Sequence, residues 1–220
     1  KGGNMVKLLG IKIDTKLNFN DHVSSMCQKT NNKIHALARI SNVMDKDKLR
    51  VIMKAFIESQ FSYCPLIWMY HSRELNHKIN RLHERALKLV YNDNTLTFEQ
   101  LLFLDGSVTI HQRNIQKLAI KMFKVRNRLS LSFLQSIFPT AENAYNLRMN
   151  TDFRSNRINT TYYGSETITF QGPKIWRSIP EHIKNSATLI DFEAKIREWI
   201  PEGCSCRICK VYLGGIGFLS

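Results

Sequence analysis

The sequence of this 220-residue chain predicts a mainly α-helical protein. We expect a helical bundle with a short N-terminal strand before it and a small α+β region, with one or two hairpins, after it. Between residues 21 and 139, apolar residues recur every three or four positions, the period of a helix with one buried face. After Pro139 this period is lost, and the residues Asn, Thr, Tyr and Arg become frequent.

These two sequence patterns, together with a cysteine cluster near the end, predict four regions. Residues 1–20 would form the end of a strand or hairpin, and residues 21–139 the helical domain. Residues 140–200 would form the small α+β domain, and residues 201–220 a cysteine-containing tail. The chain begins without Met and enters a strand-like segment at once, which is typical of the middle of a larger polypeptide.

The first elements are predicted from apolar spacing and helix caps. Val6–Ile13 is expected to be a strand that ends at Asp14. Asp21 can cap a helix that runs to about Ile40, and Asp45 or Asp47 can start a second one. The apolar residues expected to face inward are Val23, Cys27, Ile34, Leu37, Leu49, Ile52, Met53, Phe56 and Ile57.

The next elements follow from turn and cap residues. Pro65 is expected to break the apolar run Phe61–Tyr70, after which Ser72 opens a helix. Two capping boxes, Thr97-x-x-Gln100 and Thr109-x-x-Gln112, each precede an apolar run and predict two more helix starts. A short helix over Leu131–Ile137 would end at Pro139.

The last third of the chain is predicted from turn signals. Residues 141–171 contain a Gly164-Ser165 turn and a weakly alternating stretch, Thr167–Phe170, which suggests hairpins. Gly172-Pro173 is expected to interrupt the regular secondary structure. Ser186 or Thr188 would cap a final helix, which Pro201 would end. The residues expected to face inward are Leu189, Phe192, Ile196 and Trp199.

Two basic stripes at helical spacing are the most informative feature of the sequence. In Thr109–Arg128 the cations are Arg113, Lys117, Lys121, Lys124 and Arg128, with no Asp or Glu between them. In Ser72–Tyr91 the cations are Lys78, Arg81, Arg85 and Lys88. Beside each stripe runs an apolar seam, formed by Ile115, Leu118, Met122, Val125 and Leu129 in one helix and by Leu75, Ile79, Leu82, Ala86 and Leu89 in the other. Such a helix can pack on one side and present cations to a row of phosphates on the other. A solvated helix face is the alternative explanation.

Composition favours a polyanionic partner. The chain has 32 Lys and Arg against 18 Asp and Glu, a formal charge of +14 that both halves share. This favours RNA or DNA over a membrane, because no long apolar run is present. No secretory leader precedes the first strand, so we expect an intracellular protein of the nucleus, the cytoplasm or both, with reduced cysteines.

Metal and catalytic motifs are sparse. Cys204, Cys206 and Cys209 have the spacing of a partial zinc site, for which His182 is one candidate fourth ligand; plain reduced thiols are the alternative. His71, His77 and His83 are spaced by six and are expected at the surface or its boundary. No adjacent Asp pair is present to hold two metal ions, so we expect no enzyme activity from this chain alone.

Aromatic residues and arginines are interleaved after Pro139. Arg148, Arg154 and Arg157 lie near Tyr145, Tyr162 and Tyr163, an arrangement that can stack bases and hold phosphates. Trp176 and Trp199 are expected to anchor a small core.

An ordered set of short motifs covers nearly the whole chain. The motifs are Leu9–Ile11 with Asp14, Leu17 and Phe19, then Ala55–Ser59, Tyr63–Met69, Asn80–Leu87, Tyr145–Arg148, Tyr163–Gly164, Gly172–Trp176 and Cys206–Lys210. Together they resemble the carboxyl-terminal part of reverse transcriptases from jockey-like non-LTR (LINE-type) retrotransposons. No single motif is specific; the order of the set carries the resemblance.

The resemblance implies an arrangement and a role. The Leu-Gly-Ile stretch would be the last palm strand, the following helices the thumb that closes on the template–primer duplex, and the remainder a region that helps to bind the element's RNA. The parent would be an RNA-directed DNA polymerase that needs Mg²⁺, and this chain a fragment that grips nucleic acid without the polymerase active site. The alternative function is a stand-alone basic helical domain that binds proteins and has no nucleic-acid role.

Overall fold

The computed structural model of the chain describes residues 5–139, 153–154, 157–158, 164–201, 206 and 208. Across these residues it contains one two-stranded sheet and ten α-helices, so the mainly α prediction is confirmed. The chain divides into two compact units, Lys1–His111 and Gln112–Ser220, each of which is described by itself. The four-region division expected from the sequence stays a prediction.

The N-terminal segment is a hairpin rather than the single strand predicted over Val6–Ile13. Strand β1, Val6–Leu8, pairs antiparallel with β2, Ile11–Ile13, and Leu8 lies opposite Ile11. Leu9 and Gly10 between them have φ values of 47° and 87°. A two-residue hairpin turn of type I′ needs positive φ at both positions, which Gly supplies readily. The alternating apolar pattern alone does not reveal such a turn.

Helix α1, Asn20–Ile40, begins close to the predicted position but with a different cap. Asp21 lies inside the first turn, and Phe19 is the cap residue in a left-handed conformation with no side-chain cap. The Asp14 carboxylate instead orders the approach by accepting three backbone N–H bonds, from Lys16, Asn18 and Phe19 at 2.9, 3.1 and 2.8 Å. All four predicted inward residues of α1 are buried.

Helix α2, Lys46–Phe56, is capped by Asp45, whose carboxylate accepts from Lys48 N at 2.9 Å. The predicted inward position of Phe56 is wrong: it is 58% exposed, because the helix ends there and a 3₁₀ turn over Glu58–Ser62 follows. Pro65 does not interrupt helical structure in the apolar run Phe61–Tyr70; it occupies the first turn of a short helix, α3, Pro65–Trp68. Proline is tolerated at that position because no intrahelical N–H bond is lost.

Helices α4, Arg73–Tyr91, and α5, Phe98–Asp105, begin where their caps predict. The Ser72 hydroxyl accepts from Leu75 N at 3.4 Å. Thr97 and Gln100 form both halves of a capping box. Helix α4 packs against α1, α2 and α5. The fully buried centre of this first unit contains Ile34, Met53, Ile57, Trp68 and Leu87.

Helix α6, Ile110–Arg126, starts in the last two residues of the first unit, and α7, Ser132–Ile137, follows it. The predicted apolar seam of α6 is confirmed for the four residues from Ile115 to Val125. Leu129 is 58% exposed instead, because the helix has ended and Arg128 has turned left-handed with φ 56°. That turn lets Leu129 N donate to Lys124 O at 2.8 Å.

The predicted strand over Thr167–Phe170 is wrong. A 3₁₀ turn over Gly164–Glu166 leads into helix α8, Ile168–Ser178, which contains Gly172 and Pro173. The other residues of the predicted hairpin region lie mostly outside the described residues. Gly172 is closely packed: a Cβ there would lie 2.9 Å from Met122 Sδ.

The chain continues through α9, Glu181–Lys184, to α10, Leu189–Glu198, which Thr188 caps. The aromatic core of this second unit contains Trp176, Phe192, Phe123 and Phe153. Phe123 stacks on Phe192 with centroids 4.2 Å apart, and Phe153 meets Trp176 edge-on at 5.7 Å. The prediction that Trp176 anchors a small core is confirmed, while Trp199 is half-buried.

Candidate nucleic-acid interface

The basic face of α4 contains three exposed cations, Lys78, Arg81 and Arg85. They are spaced three and four residues apart and therefore project from one side of the helix. The opposite side holds Ile79 and Ala86, which are buried in the core of the first unit. The helix is thus held rigidly by one face while the other presents positive charge to solvent.

Lys88, the fourth predicted cation of this stripe, is partly neutralised. Its Nζ atom lies 2.8 Å from Glu84 Oε1 one turn earlier, and both side chains are about a quarter to a third exposed. A partly exposed i,i+4 pair of this kind contributes a few tenths of a kcal/mol, so Lys88 can exchange it for a contact with another anion. Lys88 therefore presents less uncompensated positive charge than the other three cations.

Arg85 is oriented by a neighbouring helix. Its Nη1 atom donates to Asn31 Oδ1 of α1 at 3.1 Å. A guanidinium has five N–H groups, so one bond to Asn31 leaves the others available for an anion. This contact could not be predicted from the sequence, because it joins residues 54 positions apart.

The basic stripe of α6 is less exposed than the sequence suggests. Four of its cations, Arg113, Lys117, Lys121 and Lys124, are half-buried, and Arg128 is exposed beyond the helix end. The helix also buries residues outside its predicted seam, among them Asn114, Gln116, Ala119 and Phe123. Burial, and to a lesser extent the charge of Arg113, lower the pKa of Lys117.

Arg126, a further cation of α6, has a structural position that the stripe pattern did not single out. Its Nη1 donates to Lys184 O at 3.1 Å, and its guanidinium lies 5.6 Å from the centre of the Trp176 ring. Cation–π contacts of this kind are favoured by the negative face of indole. This arginine fixes α6 against the turn at the end of α9 within the second unit.

The remaining candidate cations are only partly described. Arg154 and Arg157 are exposed, and Arg154 N donates to Pro139 O at 2.9 Å. Arg148 lies outside the described residues, as do the three tyrosines that accompany it in the sequence. The proposal that this segment stacks bases therefore stays a prediction.

The histidine prediction needs correction. His71 and His83 are 3% and 1% exposed, whereas only His77 is at the surface. His83 Nε2 lies 3.3 Å from Glu58 Oε1, and His71 Nδ1 lies 3.0 Å from Trp68 O. Both are buried because neighbouring elements bring polar partners to them, which the spacing of six does not show.

The cysteine prediction is untested. Cys206 is buried, while Cys204 and Cys209 lie outside the described residues and His182 is exposed in α9. Among the residues that the structure describes, no three His, Cys, Asp or Glu side chains converge as metal ligands. Zinc bound by the three cysteines stays a prediction.

A groove beside the α4 stripe was missed by sequence reasoning. It lies between the hairpin, α1 and α4, and its lining includes Lys12, Gln28, Asn31 and Lys78. Ser24, Gln28 and Asn31 follow one another at helical spacing, which is a signal that could have predicted a polar face on α1.

No protein-family model matches this chain, and no curated protein or solved structure matches it significantly. In the described part of the chain, none of the helices has the length and apolar character needed to cross a bilayer.

Proposed function

We propose that this chain binds nucleic acid through the basic face of α4, as the carboxyl-terminal part of a jockey-like non-LTR retrotransposon reverse transcriptase. The observation that carries the proposal is the position of Lys78, Arg81 and Arg85. All three are exposed on a helix whose opposite face is fixed in the core. Their chemistry suits phosphate oxygens, and their rigid support limits the entropy lost on binding.

Two further features support the proposal. The formal charge of +14 favours association with a polyanion over any neutral partner. Helix α6 carries five cations and no acidic residue, so it adds positive potential even where its side chains are half-buried. The ligand would be a template–primer duplex or the element's RNA, and the rest of the reverse transcriptase would supply the Mg²⁺-dependent chemistry.

Salt dependence of binding tests the proposal. The chain should bind a labelled RNA–DNA hybrid duplex with an affinity that falls steeply with salt. Replacing Lys78, Arg81 and Arg85 together by Gln should flatten the slope of log K against log salt by about two to three, because each lost phosphate contact changes it by roughly 0.9 or somewhat less. Gln is chosen because it forms helix nearly as well as Lys or Arg.

A matched variant controls for total charge. Lys16, Arg39 and Lys48 are exposed in the same unit and belong to other parts of the chain: the segment after β2, α1 and α2. Replacing these three by Gln removes the same charge and should leave most of the slope. If both triple variants change the slope equally, the α4 face is an ordinary solvated surface and the proposal fails.

A stand-alone protein-binding domain is the second candidate, favoured by one observation. Phe103 and Leu104 of α5 are 86% and 53% exposed beside a shallow apolar groove of about 420 Å³. Exposed apolar patches often mark protein interfaces. This alternative predicts that the unsubstituted chain shows no salt-dependent binding to RNA–DNA hybrid duplexes.

A further inference from the structure

The groove beside the α4 stripe has the chemistry of a nucleotide site. It measures about 720 Å³ and is lined by the hairpin, α1 and α4. We propose that it binds one unpaired ribonucleotide of a strand whose backbone follows the basic face of α4. This inference rests on the proposed function, since α4 would deliver the strand to the groove.

Two cations face the groove from different elements. Lys12 belongs to β2, and Lys78 is the first cation of the α4 stripe. Because they approach from separate elements, they can contact one phosphate without belonging to a single row. Beside the groove, burial and then the charges of Lys12 and Lys29 lower the pKa of His22.

Helix α1 supplies neutral hydrogen-bonding groups along one wall. Ser24, Gln28 and Asn31 are spaced four and three residues apart and all line the groove. Amides both donate and accept, which is what the edge of an unpaired base requires. Asn31 already accepts from Arg85 at 3.1 Å, so the wall joins the basic face of α4 directly.

The apolar part of the lining would cover the base. Met5 and Leu82 both line the groove, from the chain before β1 and from α4. The thiol of Cys27 lies at the same wall, and burial raises its pKa to about 11, so it stays neutral at physiological pH. A groove with a partly apolar lining and with cations at its side fits a whole nucleotide better than it fits phosphate groups alone.

Asp21 favours ribose over deoxyribose. Among the described residues that line the groove it is the one carboxylate, and it lies in the first turn of α1. An ionised carboxylate repels a phosphate but accepts from a hydroxyl, and the 2′-hydroxyl distinguishes RNA from DNA. The groove therefore should prefer an unpaired residue of RNA.

Overhang binding tests the inference. A blunt RNA–DNA hybrid is compared with the same hybrid carrying a short single-stranded RNA or DNA overhang, at one salt concentration. The RNA overhang should raise affinity about fivefold, on the scale of one or two net hydrogen bonds, and the DNA overhang less. Lys12→Gln with Gln28→Ala should abolish the gain, and should lower blunt-duplex affinity no more than the charge-matched control variant described below. Asp21→Ala should narrow the difference between RNA and DNA overhangs.

Lys16→Gln with Asn32→Ala is the matched control, because both residues are exposed and neither lines the groove. This variant should keep the overhang gain. If neither overhang raises affinity, or if the groove variant keeps the gain, the groove is not a nucleotide site. That failure differs from failure of the proposed function, in which the α4 triple variant and its control bind the blunt duplex alike.

Discussion

Arg50 Nε lies 2.6 Å from Asp105 Oδ1, and this ion pair joins α2 to the last residue of α5. The Arg50 guanidinium also donates to Asp105 O, and Tyr91 OH donates to the same carboxylate at 3.2 Å. Lys54 Nζ lies 3.8 Å from Asp105 Oδ2. The Asp105 side chain is fully buried, so these partners take the place of water around its carboxylate.

Asp105→Asn should therefore destabilise the protein. Removing the buried partner of an ion pair commonly costs 3–5 kcal/mol, but Arg50 is 38% exposed and keeps access to water, so we expect about 2 kcal/mol. Urea unfolding measures the change. Asp45→Asn is the control, because Asn also caps a helix and the Asp45–Lys48 pair is exposed. Equal effects of the two substitutions would contradict a special role for Asp105.

The half-buried cations of α6 should matter less for binding than the face of α4. Replacing Arg113, Lys117, Lys121 and Lys124 by Gln removes four charges, one more than the α4 triple variant removes. Because these four side chains are half-buried, fewer of them should reach phosphates. The salt slope on the hybrid duplex should fall by less than about two. A larger change than in the α4 variant would make α6 the main binding face.

Lys117 should lower the free energy of unfolding at neutral pH, and this effect should depend on pH. Its pKa in the folded protein is lowered from 10.5, so the unfolded chain binds more protons between the folded pKa and 10.5. The free energy of unfolding therefore carries a penalty at pH 7 that disappears as the pH rises through this window. Lys117→Gln should be more stable than the parent at pH 7, with the difference shrinking by pH 10. A pH-independent difference would show that desolvation of the ammonium is not its cause.

Gly172→Ala should destabilise the second unit although Ala is the better helix former. The new Cβ would lie 2.9 Å from Met122 Sδ and 3.1 Å from the Phe138 ring. Overpacking of this kind costs about 1–3 kcal/mol, more than the roughly 1 kcal/mol that helix propensity returns. Thermal unfolding measures it. Met122→Ala combined with Gly172→Ala should recover part of the lost stability. If the effects of the two substitutions on the free energy of unfolding simply add, the contact between Gly172 and Met122 is not the cause.

Helix α4 shows what the sequence can predict. Its start at Arg73 follows from the Ser72 cap, and its buried side follows from apolar residues such as Ile79 and Ala86. These are local signals, since the hydrogen bonds and the period that define them lie within one helix. The exposure of Lys78, Arg81 and Arg85 follows from the same period.

Helix α8 and the groove show what it cannot. Gly172 and Pro173 are typical of a turn, yet they lie inside α8, where Met122 and Phe138 pack against the glycine. Likewise Lys12 and Lys78 reach one groove only because the hairpin, α1 and α4 pack together. Contacts between residues distant in sequence decide both cases, and no pattern within either segment encodes them.

Each compact unit contains a tryptophan that is almost fully buried, Trp68 in the first and Trp176 in the second. Indole fluorescence shifts to longer wavelength when water reaches the ring, so each residue is an optical reporter of its own unit. In the chain with Trp176 and Trp199 replaced by Phe, emission follows only Trp68. In the complementary chain with Trp68→Phe, emission follows the second unit. Melting curves of the two chains would resolve whether the protein unfolds in one cooperative transition or in two.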